Sequence, residues 1–458
     1  MNSDSIKNAN TMSYPKPLAD EYGNLHYSGD ELARGGQGVV FRTVDADLAI
    51  KQPIIPATGK LDRDAKLRER FQKIRTLPLP PRIPISMPLA ILRDDPGYVM
   101  RLLNGMRAFE FFDLNGTTKK ELEKRSLPQW LTNVSDKNMA LRLFHYANTG
   151  STRLRLYALY KCASILSRIH YAGLVYGDIS PKNVFVGEGN TPDVWLIDAD
   201  NLRSEFISGR NSFFTPHYGA PEIMQKKDQS RPRTDCWAFA VMAFMSLALC
   251  HPFIGKKVLQ HDDEEKGWSA ESAQQAAADG IPADLDEQAY AGFLPFIDDK
   301  NDDTNESIPG MGLPRELVVT PVIIKLFQET FGAGREQPHR RPAMAFWALE
   351  LARAYDHSLI CPDCKMSYFA DDHKKCPYCD TPRPAFLRVR TKQWEIIISS
   401  DTNEFIMPHR LFHPFSFEHS DAAQYEAVLN FSRESVTPVR GTDRFPENLY
   451  FEFMEAEK

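Results

Sequence analysis

Residues 170–187 have the sequence HYAGLVYGDISPKNVFVG, and this stretch decides the interpretation of the whole chain. Asp178 lies in a turn after a predicted helix, and Asn183 follows five residues later. A carboxylate can orient a hydroxyl nucleophile and accept its proton, and an amide oxygen is a hard ligand that suits Mg²⁺. Lys182 adds a positive charge beside a transferring phosphate. We therefore expect a catalytic loop for phosphoryl transfer, with Asp178, Lys182 and Asn183 as its catalytic residues.

A second carboxylate follows the strand-like run VWLID. Asp198 ends this run, fifteen residues after Asn183. A strand-end aspartate that opens a loop is well placed to hold a metal ion, so Asn183 and Asp198 are the predicted magnesium ligands. Any one of these residues could be a turn residue that satisfies its own backbone. Their order and spacing favour a joint site.

A glycine-rich hairpin precedes this region, in the sequence LARGGQGVVFRTVDADLAIK at residues 32–51. Glycines allow bare backbone N–H groups to approach an anion closely, although a plain tight turn is the commoner explanation of such a hairpin. A lysine in the next strand can meet two phosphates as a point charge. The predicted nucleotide-binding residues of the hairpin are Gly35, Gly36, Gly38, Val40 and Lys51.

A buried lysine needs a partner, because an unpaired interior charge is costly. Glu69 is the one glutamate between Lys51 and Phe109, and it lies in a predicted helix over residues 62–75. We expect an ion pair between Lys51 and Glu69; a surface position for Glu69 in a charged helix is the alternative.

Together these residues resemble the eukaryotic-type protein kinase superfamily, over roughly residues 28–356. The hairpin is similar to the family's glycine-rich loop, with Ala33 in place of the first glycine. Residues 176–178 stand where the family has His-Arg-Asp, and residues 198–200 where it has Asp-Phe-Gly. The run TPHYGAPE at 215–222 resembles the end of an activation segment.

The resemblance also assigns three structural residues. It implies that Asp235, in the run DCWAF, braces the catalytic loop, and that Arg341 pairs with Glu222. The fold implied is α+β: a bilobal protein-kinase-like fold, with ATP and Mg²⁺ (or Mn²⁺) as cofactors.

The resemblance implies transfer of the ATP γ-phosphate to serine or threonine of a protein partner or of the chain itself. Thr215 and Tyr218 precede Ala220 at the spacing of Ser/Thr-directed kinases, and small-molecule kinases generally lack this segment. Gly177 replaces the arginine that senses a phosphate on the activation segment, so we expect activity without phosphorylation there.

Departures at Ser180, Ala199 and Asp200 keep open a nucleotide-binding pseudokinase scaffold. A small-molecule kinase is the second alternative.

A metal signal follows, in the spacing Cys361-x2-Cys364-x11-Cys376-x2-Cys379. Two CxxC pairs can place four thiolates tetrahedrally around Zn²⁺, and four thiolates leave no open position for catalysis. We predict a structural zinc ribbon, with a redox role for either pair as the alternative. The other cysteines, at 162, 236 and 250, lie in apolar helices as core residues.

The architecture and the GDISPKNV run also resemble the kinases of bacterial three-protein phosphorylation systems associated with tellurite resistance. This resemblance implies two partners, a metal-dependent phosphatase and a von Willebrand factor A domain protein.

Composition limits the remaining choices. The 458 residues are 42% hydrophobic, which is an ordinary globular composition, and the net charge of −6 argues against a nucleic-acid partner. No apolar run approaches the ~20 residues of a membrane helix, and the two CxxC pairs suit a reducing compartment, so we expect a cytoplasmic protein with no membrane partner. Residues 262–306 carry 14 acidic residues and two lysines, which we interpret as a solvated insertion. The predicted parts are an N-terminal tail (1–27), an N-lobe (28–105), a C-lobe (106–356) with an acidic insertion at about 256–312, a zinc ribbon (357–382) and a small β-rich C-terminal domain (383–458).

Overall fold

The computed structural model describes residues 17–36, 38–206, 214–260, 282, 284–390, 394–399, 403–406, 427–431, 436–440 and 450–457. Most of the predicted tail and the centre of the acidic insertion lie outside these ranges. Within them, no helix combines the length and the apolar character that crossing a membrane requires. The chain divides into two compact units, and the smaller one comprises Met1–Pro78, Ile85–Met106 and Ile197–Asp200.

The smaller unit is built on an antiparallel sheet. Its strands, with two short ones before them, are β1 (Leu18–Ala19), β2 (Leu25–His26), β3 (Ser28–Arg34), β4 (Gly38–Thr43), β5 (Leu48–Pro53), β6 (Pro88–Ile91) and β7 (Tyr98–Arg101). Five strands pair in the order β3-β4-β5-β7-β6. Ile50 and Val99, on neighbouring strands, pack with Ala90 and Leu92 in the core of this sheet.

The helix of this unit, α1 (Lys66–Arg75), begins four residues later than predicted. Asp62 accepts a hydrogen bond from the N–H of Asp64, and Asp64 accepts one from the N–H of Lys66. Such aspartate turns compete with helical hydrogen bonds and so delay the start of the helix. The helix buries Phe71 and Ile74.

Part of the predicted N-terminal tail is ordered. Strands β1 and β2 pair as a hairpin, and buried Asp20 accepts hydrogen bonds from the backbone of Tyr22 and Asn24. Glu21 accepts a hydrogen bond from the N–H of Ile91 at the end of β6. Residues 18–26 therefore form a separate hairpin that bonds to the end of β6, and the five-stranded sheet itself begins at Ser28.

The larger unit is mainly helical. Its helices are α2 (Gly116–Leu122), α3 (Lys137–Asn148), α4 (Ser151–Tyr171), α5 (Pro221–Met224), α6 (Pro232–Ala248), α7 (Lys256–Leu259), α8 (Leu285–Tyr290), α9 (Arg315–Val318), α10 (Pro321–Phe331), α11 (Ala333–Glu336) and α12 (Met344–Asp356). Short 3-10 turns lie at Phe109–Phe112, Gln129–Leu131 and Pro338–Arg340.

The helix predicted before the turn of Asp178 is α4, and Gly173, with a φ of +70°, follows its end. Residues 313–356 contain α9, α10, α11 and α12, because Pro321 and Pro338 begin new helical segments and Gly332 separates two of them.

Short strand pairs lie between these helices. They are β8 (Arg107–Ala108), β9 (Leu174–Val175), β10 (Val184–Val186), β11 (Val194–Leu196) and β12 (Arg203–Ser204). Antiparallel pairing gives the orders β11-β10-β8 and β12-β9. The chain between β9 and β10 carries Asp178 and Asn183.

The interpretation of the acidic region as a solvated insertion is wrong for residues 288–306. Leu294, Phe296 and Ile297 are buried, and Phe296 packs edge-on against Phe244 of α6 with 5.3 Å between ring centroids. The side chain of buried Asn305 donates hydrogen bonds to two backbone carbonyls. Because acidic residues outnumber these core residues in the sequence, the net charge of the region gave no indication that part of it is buried.

The C-terminal region is rich in strands, as predicted. Its strands are β13 (Ser358–Ile360), β14 (Ser367–Phe369), β15 (Phe386–Arg390), β16 (Glu395–Ser399), β17 (Asn403–Ile406), β18 (Ala427–Phe431), β19 (Val436–Arg440) and β20 (Tyr450–Met454). They pair as β13-β14, β16-β15-β20 and β17-β18-β19. Buried Trp394, just before β16, donates a 2.5 Å hydrogen bond to Asp356 at the end of α12.

The buried guanidinium of Arg155 joins several helices of the larger unit. It donates hydrogen bonds to the carbonyl of Ser246 in α6 at 2.8 Å, to that of Ser151 in α4 at 3.1 Å, and to the Thr149 hydroxyl at 2.7 Å. It also lies 3.8 Å above the ring of Tyr146. A cation in the protein interior is tolerated only when its donors are used in this way.

We predict that Arg155→Met lowers the free energy of unfolding by about 3 kcal/mol, because the carbonyls that it bonds stay buried and lose their donor. Urea unfolding of the whole chain measures this loss. The matched control is Arg168→Met in the same helix, which removes one solvent-exposed hydrogen bond to Pro81 and should cost less than about 1 kcal/mol. Equal losses for the two variants would contradict the assignment.

Candidate active site and cysteine centre

The glycine loop, of which residues 33–36 and 38–40 are described, lies between β3 and β4 in the smaller unit. The N–H of Gly35 donates a 2.9 Å hydrogen bond to the carbonyl of Gly38, which closes the turn. A Cβ atom on Gly35 or Gly36 would meet nothing within 4 Å, so the loop faces open space. A Cβ on Gly38 would lie 3.0 Å from Cε of Lys51. Half-buried Val40 lies opposite Lys51 in the β4–β5 register.

Lys51 is buried and lies between two carboxylates of the same unit. Its Nζ donates hydrogen bonds to Oδ1 of Asp198 at 2.6 Å and to Oδ2 of Asp200 at 2.8 Å. Burial by itself lowers the pKa of Lys51, but Asp200 and Asp198 outweigh it and hold the pKa above its ordinary value. The lysine is therefore a fixed positive charge.

The predicted ion pair between Lys51 and Glu69 is wrong. Glu69 has a side chain that is 65% exposed, and it pairs with Lys73 one turn along α1 at 2.7 Å. The buried face of α1 is that of Phe71, and Glu69 lies about 200° away from it around the helix axis. The helix therefore directs Glu69 to solvent, and the partner of Lys51 comes from residues 198–200.

Asp198 and Asp200 occupy different environments. The backbone of Asp198 is left-handed, with a φ of +60°, which is uncommon for a residue other than glycine and is typical of functional sites. Its side chain is 24% exposed, against 9% for Asp200. Oδ1 of Asp200 accepts a hydrogen bond of 2.8 Å from the hydroxyl of Tyr98. Lys51 and Tyr98 together lower the pKa of Asp200 against the opposing effect of burial.

The Asp178 loop (residues 176–183) lies in the larger unit. Oδ1 of buried Asp178 accepts a 2.7 Å hydrogen bond from the hydroxyl of Thr215. Oδ2 accepts a longer one, 3.4 Å, from the side-chain amide of Asn201. These two contacts fix the orientation of the carboxylate.

Asn183 and Lys182 end the same loop. Nδ2 of Asn183 donates a 2.8 Å hydrogen bond to the carbonyl of Asp178, which leaves its Oδ1 as the side-chain atom suited to a cation. Lys182 is exposed. Ser180 is fully buried, and its Oγ has no hydrogen-bond partner within the described parts of the chain.

Asp235, in the first turn of α6, holds the start of this loop. Its Oδ2 accepts hydrogen bonds from His170 and from the N–H of Tyr176, and its Oδ1 accepts one from the N–H of Gly177, each at 2.9 Å. Gly177 has a φ of +86°, and a Cβ there would lie 3.3 Å from the carbonyl of Asn201. A glycine therefore fits this position better than any larger residue.

Glu222 and Arg341 form a bidentate ion pair of 2.7 and 2.8 Å. Arg341 is buried and also donates to the carbonyl of Gly334 at 2.7 Å. The pair thus anchors the segment that ends at Glu222 to the chain before α12.

Three residues of these networks were not predicted: Asn201, Tyr98 and, as a partner of Lys51, Asp200. The run Asp-Ala-Asp-Asn at 198–201 contained a signal, since Asp200 places a second carboxylate where the family has glycine and the amide of Asn201 follows it. Tyr98 lies in an ordinary apolar strand pattern and carried no such signal.

The four cysteines of the C-terminal CxxC pairs meet in one cluster. Cys361 and Cys379 have sulfurs 3.5 Å apart, those of Cys364 and Cys376 are 3.6 Å apart, and all four lie within 4.8 Å of one another. Four thiolates at 2.3 Å from a tetrahedral Zn²⁺ would be about 3.8 Å apart, so the cluster fits zinc.

Residues 357–382 pack against α4. The Ser367 hydroxyl accepts a 2.8 Å hydrogen bond from the N–H of Arg153 in the first turn of α4, and its N–H donates to the hydroxyl of Ser151 at 2.8 Å. The guanidinium of Arg153 donates to the carbonyls of Tyr355 and Ser358. This ribbon therefore supplies a cap for a helix that has no side-chain cap of its own.

Comparison with known proteins finds a family match for the central region of the chain. Residues 139–289 match the family model described as the protein kinase domain. This segment includes Asp178, Asn183, Asp198, Glu222 and Asp235; it does not include the glycine loop.

Three curated relatives are protein kinases by name. The Serine/threonine-protein kinase PknD of Chlamydia pneumoniae is 22% identical over 247 residues, 49% of this chain and 24% of the relative. CBL-interacting serine/threonine-protein kinase 5 of Arabidopsis thaliana is 23% identical over 133 residues, 27% and 30% of the two chains. CBL-interacting protein kinase 4 of Oryza sativa subsp. japonica is 34% identical over 94 residues, 19% and 20%.

The aligned parts span less than a third of each of these relatives. They nevertheless agree with the family match and with the order of the motifs along the sequence. The matched segment, residues 139–289, is therefore similar to the protein kinase domain, which supports the eukaryotic-type protein kinase superfamily for this region.

Proposed function

We propose that this chain is an active protein kinase, which transfers the γ-phosphate of ATP to a serine or threonine of a protein partner or of itself. The observation that carries the proposal is the 2.7 Å hydrogen bond from the Thr215 hydroxyl to Asp178. It lies within the distance that proton transfer to a general base requires. The carboxylate is thus already oriented to accept from an aliphatic alcohol.

The residues present fit a nucleotide and a divalent cation. Gly35 and Gly36 leave open space beside their backbone, where a phosphate can approach. Asn183 and Asp198 present the hard oxygen atoms that Mg²⁺ or Mn²⁺ prefers. When bound, ATP supplies the phosphoryl group and the metal ion offsets its charge.

Each of the proposed site residues then has a defined role. Asp178 orients the acceptor hydroxyl and takes its proton. Lys51 binds the α and β phosphates, and the backbone of the glycine loop covers them. Lys182 offsets charge on the transferring group, and Asn183 and Asp198 are the proposed metal ligands.

Activity independent of activation-segment phosphorylation is part of the proposal. A phosphate-sensing arginine is replaced by Gly177, whose N–H is held by Asp235 instead. This hydrogen bond needs no added phosphate, so the loop is held in place without one.

The C-terminal ribbon is proposed to bind one structural Zn²⁺ through its four cysteines. The resemblance to three-protein phosphorylation systems makes a metal-dependent phosphatase and a von Willebrand factor A domain protein the proposed partners, in the cytoplasm.

We predict that Asp178→Asn lowers the rate of phosphate transfer at least about 100-fold and leaves ATP affinity within about twofold, because the amide cannot accept the proton. Purified protein is incubated with γ-labelled ATP and Mg²⁺, and phosphosites are mapped by mass spectrometry. The matched control is exposed Asp193→Asn, which should retain the wild-type rate.

Wild-type label on serine or threonine supports the proposal. ATP binding without transfer to any protein would indicate the pseudokinase scaffold, and transfer to metabolites alone would indicate a small-molecule kinase.

Removal of phosphate from the purified protein should leave the initial rate of transfer unchanged within about twofold, because Asp235 holds Gly177 without help from a phosphate. Mass spectrometry verifies that treatment with a phosphatase is complete before the rate is measured. A fall of tenfold or more would show that the activation segment needs its phosphate.

Metal analysis should find about one zinc per chain, and Cys376→Ser should lose it, whereas Cys250→Ser should keep it. Chelation should lower the melting temperature of the whole protein by at least about 5 °C, because metal binding is coupled to the folding of the ribbon that caps α4. A zinc-free protein with an unchanged melting temperature would contradict this coupling.

A further inference from the structure

Lys51 requires a counter-charge that stays with it throughout catalysis. A buried ammonium is costly unless it is paired. Of the two carboxylates on Lys51, Asp198 is the more exposed and is the proposed metal ligand. A carboxylate that also binds a metal ion shares its negative charge with that ion, so it offsets less of the charge of the lysine than a carboxylate that binds no metal.

Asp200 is held in place from three directions. Its Oδ2 accepts from Lys51 at 2.8 Å, and its Oδ1 accepts from the hydroxyl of Tyr98 at 2.8 Å. Its backbone carbonyl accepts two hydrogen bonds, of 2.6 and 3.1 Å, from the guanidinium of Arg70 in α1. Both carboxylate oxygens thus have a donor from the smaller unit, and the residue is buried.

The donors of Asp200 are fixed in turn by the sheet and the helix. Tyr98 lies directly opposite Lys51 in the β5–β7 register. Its ring packs edge-on against Phe71 of α1, with 4.9 Å between centroids. Tyr98 is fully buried, so its hydroxyl must bond within the protein, and Asp200 is the acceptor that it reaches.

We propose that Asp200, rather than a glutamate of helix α1, is the constant counter-ion of Lys51 and the residue that positions its ammonium for the nucleotide phosphates. This inference rests on the proposed function. Asp200 is a positioning residue, since it acts on the nucleotide through Lys51. Helix α1 contributes Arg70, which holds the backbone of Asp200, and the charge of Glu69 plays no part.

The first test is a double-mutant cycle on the nucleotide-free protein, which compares Lys51→Met, Asp200→Asn and the double variant. The measured quantity is the unfolding equilibrium constant of the full chain. Because the two groups are in direct buried contact, their effects should depart from additivity by about tenfold or more. The matched control cycle, Lys51→Met with Glu69→Gln, should be additive within about twofold.

Additive effects for Asp200, or coupling for Glu69, would overturn the proposal. This cycle contains no nucleotide, so it decides the pairing even if the chain proves not to be an active kinase.

The second test measures ATP affinity by calorimetry. Asp200→Asn should weaken binding about tenfold in the wild-type background and have no further effect in the Lys51→Met background, because it acts through the lysine. Glu69→Gln should leave the affinity unchanged. If Asp200→Asn also lowered the ATP affinity in the Lys51→Met background, Asp200 would have a merely structural role and the inference would be overturned.

If the wild type itself binds no ATP, the proposed function fails and the nucleotide-free cycle alone decides the Lys51–Asp200 pair.

Discussion

The buried carboxylate of Asp235 is the contact on which the Asp178 loop depends. Helix α6 is apolar on all sides and lies in the core of the larger unit, so the position of its first turn is set by packing. Its N-terminal end favours a negative charge, and Asp235 uses that charge to accept three hydrogen bonds from residues 170–177. The orientation of Asp178 is therefore set by a core helix rather than by the loop itself.

The run of residues 198–201 concentrates several tasks in four positions. Asp198 adopts a left-handed backbone that costs roughly 1–2 kcal/mol, which surrounding contacts must offset. Asp200 contacts Lys51 and Tyr98 in the smaller unit, while the next residue, Asn201, contacts Asp178 in the larger one. Neighbouring residues thus serve two separate networks, and Asp200, which stands where the family has glycine, supplies the carboxylate of the first.

The resemblance to the kinase family, the main helices and the clustering of the four cysteines could all be predicted from the sequence, because they depend on local pattern and spacing. Glu69 shows where it was insufficient. Its place in a helix could be predicted, but which side of α1 faces the sheet depends on Phe71 and Ile74 packing against strands that are distant in sequence. The prediction for the acidic region was wrong for a related reason. It was based on the number of charges along the chain, whereas Phe296 is buried by its contact with α6, which is distant in sequence.

The hydrogen bond from Arg153 to Ser367 changes how the boundary near residue 357 should be understood. Composition changes sharply there, from a helical segment to a cysteine-rich one. The cysteine-rich segment nevertheless caps the N-terminus of α4, which belongs to the region before the boundary. The twelve residues from Asp356 to Ser367 form a connection of fixed length, which is anchored by Trp394 at one end and by Ser151 at the other. An insertion or deletion in this connection would move the cap away from the helix. The length of this connection is therefore constrained as tightly as a core position, and the ribbon cannot be exchanged between chains as an independent module.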